Sequence, residues 1–503
     1  MLLSAREMKE LEERLFADGV SPEALMEEAG VGMALAIRQF FPEPGTCVVY
    51  AGRGHNGGDA WVAARQLGEA GWLVQQRPVF TESQLSELTL KKMREAGPIG
   101  VCPLVEVDGV CPHRSDSTLG PLVFLDGLLG IGVTGALREP IRNATREINR
   151  LREQFHASTF ALDLPTGLNA DTGEADPDCV VADFTLAVGC AKTGLVADTA
   201  VNHVGRLAVI PLMELNARAN SSVNEGSVTI PSLLTPLLSR RKFNTHKTQC
   251  GRVAVVAGSP GMTGAALMCA KAAVRAGAGL VTLFATRDVY PILAAGAMPE
   301  IMVRPVDSFL ELLESERDVT AIGPGLGKCH RDEVLHLIEV CREPMVVDAD
   351  ALNALSGNLG LLHGCAGIRL LTPHPGEMRR LLDTGTLTRS ETVAAFTREF
   401  PVTLLLKGAR TVIGEKGGPI SYNSTGSPGM ATGGMGDILT GVCAALIGRG
   451  LSAYDGARVG AWLCGRAAEL AIYNGTASEE SLAAADLPEW FGMAFKQIYQ
   501  PCY

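Results

Sequence analysis

The stretch TCVVYAGRGHNGGDAWVAARQLGEAG at residues 46–71 joins an apolar run to a glycine-rich loop and then to a helical pattern. Residues 46–52 are typical of a buried strand, and residues 59–71 are typical of a helix that follows it. A strand, a loop and a helix in this order begin a crossover unit, which builds parallel sheets. The stretch therefore predicts an α/β fold.

The same alternation recurs along the whole chain. Two helical patterns precede the stretch, and they are separated by Gly19 and by Ser21-Pro22. Strand-like runs follow in the first half at 71–76, 121–126, 158–163 and 183–189. Strand-like runs follow in the second half at 251–259, 279–285, 318–325, 343–350, 367–374, 402–408 and 411–415. The polar and then basic segment between them predicts two α/β domains, at 1–220 and 221–503.

Charge and composition restrict the possible partners and the location. The net charge of -11 gives no electrostatic basis for binding a nucleic-acid backbone or an anionic membrane. No apolar run is long enough to cross a bilayer, and the first residues lack the apolar core of a signal peptide. The 13 cysteines form no C-x-x-C pair, which is typical of reduced thiols. We therefore expect a cytoplasmic protein.

The loop after the first strand satisfies G-x-G-x-x-G through Gly52, Gly54 and Gly57. This pattern suggests a dinucleotide-binding dehydrogenase. Such a fold also uses an acidic residue at the end of the second strand, where it binds the ribose hydroxyls. Here that strand ends in Gln75, Gln76 and Arg77, so the dehydrogenase interpretation is incomplete.

Two aspartates follow apolar runs in the same half of the chain. Asp126 ends PLVFLD, and Asp163 ends STFALD with Thr166 just beyond it. Ligands of open α/β sheets bind outside the carboxyl ends of the strands, so we expect these side chains to converge with Asn56 and Asp59. Neutral oxygens with carboxylates suit a hard cation, and glycine loops supply N–H groups for phosphate. Each aspartate by itself is also typical of a turn or a helix cap.

Three motifs of this half resemble the NAD(P)H-hydrate epimerase family: HNGGD at 55–59, DGLLGIGVTG at 126–135 and DLPTGLNADTG at 163–173. The resemblance implies a Rossmann-like, three-layer fold and a potassium ion bound by Asn56, Asp126 and Thr166. It implies that the substrate is bound by Asp163 and by two loops, whose residues are His55, Asn56, Gly57, Gly58, Asp59, Gly130, Ile131, Gly132, Val133, Thr134, Gly135 and Ala136. Because epimerisation needs acid–base assistance, Asp163 is also our catalytic candidate.

The second half contains the run SYNSTGSPGMATGGMGDILTGVCAALIG at 421–448. Gly433, Gly434 and Gly436 lead into a helix that we expect to begin at about Asp437. Backbone N–H groups of such a loop, together with the helix dipole, attract anions. A carboxylate at this position opposes the binding of anions. Its presence there favours a chemical role, such as taking the proton of an attacking hydroxyl. Asp437 as a plain helix cap is the alternative.

No G-x-x-x-x-G-K-[ST] motif occurs in the chain, so phosphoryl transfer would have to use the glycine loop and its aspartate. The second half resembles the ADP/ATP-dependent NAD(P)H-hydrate dehydratase branch of the ribokinase-like family. The motifs that carry this resemblance lie at 245–267, 299–303, 322–327, 346–353, 371–382, 407–411 and 423–437.

That resemblance implies a ribokinase-like α/β domain with two neighbouring ligands. Ala266, Gly325 and His374 would contact the hydrated nicotinamide nucleotide, and Asp437 would face its hydroxyl as the catalytic group. ADP or ATP, with magnesium, would be held by the run at the end of the strand-like segment 402–408 and by one glycine of the later loop. These residues are Lys407, Gly408, Ala409, Arg410, Thr411 and Gly436.

Together the resemblances imply a bifunctional isomerase and lyase that repairs hydrated NADH and NADPH. The first half would interconvert the R and S epimers, and the second half would phosphorylate the hydroxyl of the S form before elimination. We also expect a homo-oligomer. A kinase of a small alcohol, with a regulatory nucleotide-binding first domain, is the main alternative. A nucleotide sensor without catalysis is a further one, although it would gain nothing from Asp437.

Overall fold

A computed structural model of the chain describes residues 1–101, 120–132, 135–219, 226–500 and 503. The chain divides into two compact units, Met1–Asn224 with Cys502–Tyr503 and Glu225–Pro501. The predicted boundary after residue 220 lies outside the described residues and stays a prediction. No helix in the described part of the chain is long and apolar enough to cross a membrane.

The first unit alternates strands and helices. Its strands are β1 (Leu2–Leu3), β2 (Thr46–Ala51), β3 (Leu73–Gln76), β4 (Gly100–Val101), β5 (Leu122–Gly127), β6 (Ser158–Leu162), β7 (Phe184–Val188), β8 (Ala191–Lys192) and β9 (Arg206–Ile210). Its helices are α1 (Ala5–Ala17), α2 (Pro22–Phe40), α3 (His55–Glu69), α4 (Glu87–Glu95), α5 (Ile141–Phe155), α6 (Val201–Val204) and α7 (Met213–Ala219).

Seven strands of the described residues form one parallel sheet in the order β4-β3-β2-β5-β6-β7-β9. The chain builds the sheet outward from β2 in one direction and then returns to β5 to build it in the other. The strand order therefore reverses between β2 and β5, which is the point where such sheets bind ligands. This arrangement confirms the predicted Rossmann-like fold.

Helices cover both faces of this sheet, because its strands are apolar on both sides. Val48 and Phe124 pack with Ile148 of α5 in one core. On the opposite face α3 lies so close to the sheet that a Cβ atom at Gly127 would be 2.6 Å from Cβ of Ala60. The unit is thus the predicted three-layer structure.

The second unit repeats the architecture on a larger sheet. Its strands are β10 (Gly226–Thr229), β11 (Arg252–Val256), β12 (Leu280–Thr286), β13 (Ile301–Val306), β14 (Val319–Ile322), β15 (Met345–Val347), β16 (Arg369–Leu371), β17 (Thr403–Leu406), β18 (Val412–Glu415) and β19 (Ile420–Asn423). Its helices are α8 (Pro231–Leu234), α9 (Thr263–Arg275), α10 (Tyr290–Gly296), α11 (Arg331–Val340), α12 (Ala349–Leu355), α13 (Pro375–Leu381), α14 (Arg389–Glu399), α15 (Met435–Gly448), α16 (Ala453–Tyr473) and α17 (Leu487–Ile498).

Ten strands of the part that the structure describes lie in the order β10-β19-β18-β17-β16-β15-β14-β11-β12-β13. The strands from β17 to β13 are parallel, and β18 runs antiparallel to both of its neighbours. The order reverses between β14 and β11. The second unit is a ribokinase-like α/β domain, as the resemblance implied.

One predicted helix start was wrong, since α3 begins at His55 rather than at Asp59. Helix α15 begins at Met435, close to the start expected at about Asp437. Glycine has a low helix propensity, so the glycines of the α3 segment predicted a loop. The helix forms nevertheless, because it packs closely: a Cβ atom at Gly57 would lie only 2.0 Å from the carbonyl oxygen of Gly52. The strands β10 and β13 were missed because they lie at the edges of their sheet and carry no continuous apolar run.

Candidate active sites

The first candidate site lies at the carboxyl ends of β2 and β5. The predicted loop residues from His55 to Asp59 form the first turn of α3, with Gly54 as its cap. Asn56 is buried there, and its Nδ2 atom donates to the Leu129 carbonyl at 2.9 Å. Its Oδ1 atom is buried without a hydrogen-bond partner. Buried polar atoms normally have a partner, so this oxygen is a candidate ligand for a bound ion.

Asp126 and Thr166 lie in direct contact in this site. The Thr166 hydroxyl donates to Oδ1 of Asp126 at 2.7 Å, and the Thr166 N–H donates to Oδ2 at 2.8 Å. Burial raises the pKa of Asp126 to about 6, although these hydrogen bonds act in the opposite direction. No lysine or arginine of the described residues pairs with this carboxylate.

These three residues fit a monovalent cation of the kind that the resemblance implied. Among the described residues, the buried Asp126 carboxylate has no counter-charge and the Asn56 Oδ1 atom has no donor. The Thr166 hydroxyl oxygen adds a third hard oxygen to this set. No group of three His, Cys, Asp or Glu side chains that could hold a metal ion occurs among the described residues.

The predicted substrate loop follows β5. Gly130 and Ile131 are half-buried, whereas Gly132, Gly135 and Ala136 are exposed. Val133 and Thr134 lie outside the described residues. The loop and Asp163 come together, because a Cβ atom at Gly130 would lie 3.6 Å from Cβ of Asn56 and 3.9 Å from Oδ2 of Asp163.

Asp163 adopts a left-handed backbone conformation, with φ of 70°. Such a conformation is uncommon for a residue with a side chain and concentrates at functional sites. The Oδ1 atom of Asp163 accepts hydrogen bonds from the buried Lys192 ammonium and, at 3.1 Å, from the Val188 N–H.

Two more carboxyl groups interact electrostatically with this ion pair. Asp59 has its pKa raised by burial, then by Asp163 and then by Glu12, a residue of α1, while Lys192 opposes the shift. Burial also raises the pKa of Glu12, with Asp163 adding to the shift and Lys192 opposing it. The Lys192 ammonium thus interacts with three carboxyl groups.

In the second unit, the predicted glycine loop leads into α15 with Gly434 as its cap, at φ of 92°. This left-handed turn aims successive N–H groups toward the start of the helix. Gly436 lies against a cation, since a Cβ atom there would be 3.1 Å from Nζ of Lys407 and 3.5 Å from Oδ2 of Asp348. The structure therefore brings the predicted residues Lys407, Gly436 and Asp437 together.

Lys407 follows β17, and Asp348 follows β15. The Lys407 ammonium lies 2.8 Å from Oδ1 of Asp348 and 3.9 Å from Oε2 of Glu377. Burial by itself would lower the pKa of Lys407, but Asp348 and Glu377 outweigh it and raise that pKa. Lys407 is therefore held as a cation beside the anion-binding loop.

Asp437 is half-buried in the first turn of α15. Burial raises its pKa to about 6, the negative charge of Asp348 adds to the shift, and Lys407 opposes it. A carboxylate with a pKa near 6 is a better base than an ordinary aspartate and is still ionised at neutral pH.

His374 caps α13 and is exposed. Its Nδ1 atom accepts from the N–H groups of Gly376 at 2.9 Å and Glu377 at 3.4 Å, and its Nε2 atom lies 3.6 Å from Oε1 of Glu377. Because Nδ1 accepts, the neutral ring carries its proton on Nε2 and presents a donor. Through Glu377 it is linked to Lys407.

The other predicted residues border the same ends of the sheet. Ala266 is buried on α9, 3.0 Å from where a Cβ atom at Gly258 would be. The Gly325 carbonyl accepts from the Ser259 hydroxyl at 2.8 Å, so Gly325 borders the same turn after β11. In the run after Lys407, Gly408 and Ala409 are exposed, while Arg410 and Thr411 are buried.

Asp348, Glu377, Thr440 and Lys192 were missed as site residues. Asp348 follows the apolar run EPMVV as Asp126 follows PLVFL, so the same strand-end rule would have found it. Lys192 is a lone charge within the apolar run FTLAVGCAKTGLV. A charge in such a run indicates a buried, paired group.

Two regions of the chain match two different protein families. Residues 22–194 match the family described as YjeF-related protein N-terminus, and residues 253–488 match the family described as NAD(P)H-hydrate dehydratase. A crystal structure of ADP/ATP-dependent NAD(P)H-hydrate dehydratase from Bacillus subtilis, co-crystallized with ATP/Mg2+, is 26% identical and covers 55% of this chain and 100% of its own, with a TM-score of 0.48.

Full-length relatives carry both regions. The bifunctional NAD(P)H-hydrate repair enzyme of Moorella thermoacetica is 35% identical over 521 residues, which cover 99% of this chain and 97% of that protein. The enzyme of the same description from Escherichia coli is 34% identical and covers 91% of this chain and 87% of its own. With two such units and relatives that match along its length, this chain belongs to the family of bifunctional NAD(P)H-hydrate repair enzymes.

Proposed function

We propose that this chain repairs hydrated NADH and NADPH in two steps, epimerisation in the first unit and nucleotide-dependent dehydration in the second. The observation that carries the proposal is the second site, where Asp437 and the Lys407 ammonium flank Gly436 at an anion-binding helix start. A general base, a cation and a nest of N–H groups in one place suit phosphoryl transfer to a hydroxyl.

In the dehydratase site, Asp437 takes the proton of the substrate hydroxyl as its oxygen attacks the terminal phosphorus of ADP or ATP. The bond from that phosphorus to the bridging oxygen breaks, and AMP or ADP leaves. The phosphorylated carbinol then loses phosphate, expelled by the lone pair of the ring nitrogen. Loss of a proton from the neighbouring ring carbon restores the double bond. Lys407 and the loop N–H groups stabilise the phosphate charge in the first step.

The carboxylates beside Lys407 suit the magnesium that the resemblance implied. Asp348 and Glu377 are both buried and both lie within 4 Å of the same ammonium. Mg²⁺ in nucleotide sites is bound by one or two carboxylates together with phosphates and water, and it neutralises phosphate charge when bound. Two carboxylates, rather than a closed protein cage, fit that pattern.

In the epimerase site, Asp163 is the acid–base group. Its carboxylate takes the proton of the carbinol hydroxyl while the bond between that carbon and the ring nitrogen breaks. An aldehyde forms, and the same carboxyl group returns the proton to the nitrogen. Reclosure on the other face of the aldehyde gives the opposite epimer. The left-handed backbone of Asp163 and its place beside Gly130 support this role.

Asn56, Asp126 and Thr166 would hold potassium in the first unit. The ion would neutralise the buried Asp126 carboxylate and would supply positive charge for the substrate phosphates when bound. The residues between Gly130 and Ala136, with the first turn of α3, would surround the nucleotide.

The deciding experiment follows nicotinamide absorbance after mixing the pure protein with NADH hydrate and ADP or ATP. We expect absorbance to return only with nucleotide, for both epimers in the parent, and for the S form alone after Asp163→Asn. A chain that leaves the hydrate unchanged but phosphorylates a small alcohol would be a kinase instead.

The cytoplasmic location and the homo-oligomer expected from the sequence remain proposals. Light scattering of the pure protein would test the oligomeric state.

A further inference from the structure

We propose that Lys192 is the positioning residue of the epimerase site: it holds one carboxylate oxygen of Asp163 so that the other faces the substrate loop. The inference rests on the proposed function of Asp163. Lys192 lies outside the motifs that identified the site, on the short strand β8.

The two oxygens of Asp163 have different surroundings. Oδ1 accepts from the Lys192 ammonium and the Val188 N–H, while the same ammonium donates to the Val188 carbonyl at 3.2 Å. Oδ2 accepts no hydrogen bond from any described residue, and it lies 3.9 Å from where a Cβ atom at Gly130 would be. Oδ2 is therefore the oxygen available to a substrate hydroxyl beside the loop.

Both partners are anchored by the backbone. The N–H of Asp163 donates to the Leu186 carbonyl at 2.9 Å, and its left-handed φ fixes the direction of the side chain. Lys192 pairs with Leu3 in the two-stranded sheet of β1 and β8. A lysine held at its main chain, with a side chain only 1% exposed, leaves Asp163 little freedom to turn.

The charges near the pair give Lys192 an electrostatic role beside the geometric one. Asp59 and Glu12 interact with both members of the pair: burial raises the pKa of each, Asp163 adds to the shift and Lys192 opposes it. The Lys192 ammonium therefore supplies positive charge that offsets the repulsion among these three carboxyl groups.

The test compares Lys192→Met, which keeps an unbranched side chain of nearly the same length and removes its charge, with Lys92→Met. Lys92 is a matched control, since it is a buried lysine of the same unit that pairs with Glu23 and Glu27 of α2 and with Glu95 of its own helix α4. Initial rates of conversion of the R into the S epimer of NADH hydrate are measured by chromatography, in the full chain and without adenine nucleotide.

We expect Lys192→Met to lower kcat on the order of 10²-fold, the cost of misplacing a reacting group, with KM changed less than about threefold. Potassium should still activate the variant, and dehydration of the S epimer should match the parent. Lys92→Met should keep the parent kcat even where its melting temperature falls. If Lys192→Met does not fold, the same rates are measured on Lys192→Gln, for which we expect the same loss of kcat.

Three results would overturn the inference in different ways. Parent kcat in a folded Lys192→Met, with an inactive Asp163→Asn, would show that Asp163 acts without Lys192 and would leave the proposed function intact. Parent kcat in Asp163→Asn would remove Asp163 from the mechanism and the inference with it. A rise in KM alone for Lys192→Met would assign Lys192 to binding rather than positioning.

Discussion

The Lys407 ammonium lies 2.8 Å from Oδ1 of Asp348, and the other oxygen of the same carboxylate accepts from the Thr440 hydroxyl at 2.9 Å. One buried aspartate thus connects the lysine after β17 to α15, the helix that begins at the anion-binding loop. The position of the cation relative to the loop depends on this carboxylate rather than on the flexible lysine itself.

Replacing Asp348 by Asn should therefore disturb both stability and dehydration. Asn keeps the volume and an acceptor for Thr440, but it leaves a mostly buried ammonium with Glu377 as its remaining partner. Breaking such a pair costs about 3 kcal/mol, and dehydration should fall while epimerisation does not. Urea unfolding and both rates check this, with Asp307→Asn as the control. Asp307 forms an exposed ion pair with Arg287, and its loss should leave the unfolding free energy close to that of the parent, because water and salt screen such a pair.

Dehydration should depend on pH through Asp437. Because burial and then Asp348 raise its pKa to about 6, the base form is lost below that pH. We expect kcat/KM for the S epimer to fall about tenfold per pH unit below 6 and to be level above about 7. A rate profile that is flat from pH 5 to 8 would contradict this assignment.

The same shift has a consequence for stability, and its sign is opposite to that of an ordinary ion pair. A carboxyl whose pKa is raised in the folded state stabilises the fold below its unfolded pKa of 3.8, and that contribution is lost as the pH rises through about 6. Asp437→Asn should thus unfold at higher urea than the parent at pH 7.5, and the difference should vanish near pH 4.

His374 should act as a donor and a helix cap rather than as a base. Its Nδ1 atom accepts from the Gly376 and Glu377 N–H groups, as a capping Asn oxygen would. His374→Asn should therefore keep stability within about 0.5 kcal/mol, whereas His374→Ala should lose about 1 kcal/mol. Both should raise KM for the hydrate, because Nε2–H is lost. Thermal melts and KM values measure the two effects, and an unchanged KM in both variants would remove His374 from the site.

The alternation of apolar runs and helices was enough to predict both α/β units and most of their strands, because strands buried on both faces have no polar positions. The same pattern predicted Asp126 and Asp163 at the carboxyl ends of strands, and the structure has them at the ends of β5 and β6. The strand-end rule was not applied to Asp348, which satisfies it equally well.

Other features could not be read from local sequence. Lys192 meets Asp163 only because β7, β8 and the turn between them fold back on the end of β6, and no spacing of residues encodes that contact. The start of α3 was misplaced because Gly57 is needed for close packing against Gly52, and Gly58 for close packing against Met26, which local propensity does not report. Edge strands such as β13, with Arg304 and Pro305, lack the pattern of a buried strand.

Asp126→Ala should abolish the dependence of epimerisation on potassium. The substitution removes the buried carboxylate that Thr166 orients, and with it the negative charge of the expected cation site. Epimerisation rates in potassium and in choline chloride measure the effect, and dehydration of the S epimer is the internal control. Thr166→Val, which removes one neutral ligand, should weaken activation by potassium without eliminating it. Equal stimulation of Asp126→Ala and the parent would contradict the assignment of the ion.

Asp437→Asn provides the sharpest test of the dehydratase mechanism. The substitution keeps the volume and most of the capping ability at the start of α15, so the fold should remain intact. Nucleotide affinity should stay the same or increase slightly, because a negative charge beside the phosphates is removed. Dehydration should nevertheless fall on the order of 10²–10⁴-fold, the usual contribution of a positioned general base.

The same variant should epimerise at the parent rate, since its change lies in the other unit. Calorimetric titration with ADP, circular dichroism and the two separate rates distinguish the outcomes. Dehydration near the parent rate would make Asp437 a helix cap and would require another base. A loss of nucleotide binding would instead mean that the carboxylate organises the loop of Gly434 and Gly436. Only an intact fold with intact nucleotide binding and lost dehydration assigns the proton transfer to Asp437, because that combination separates chemistry from both binding and structure.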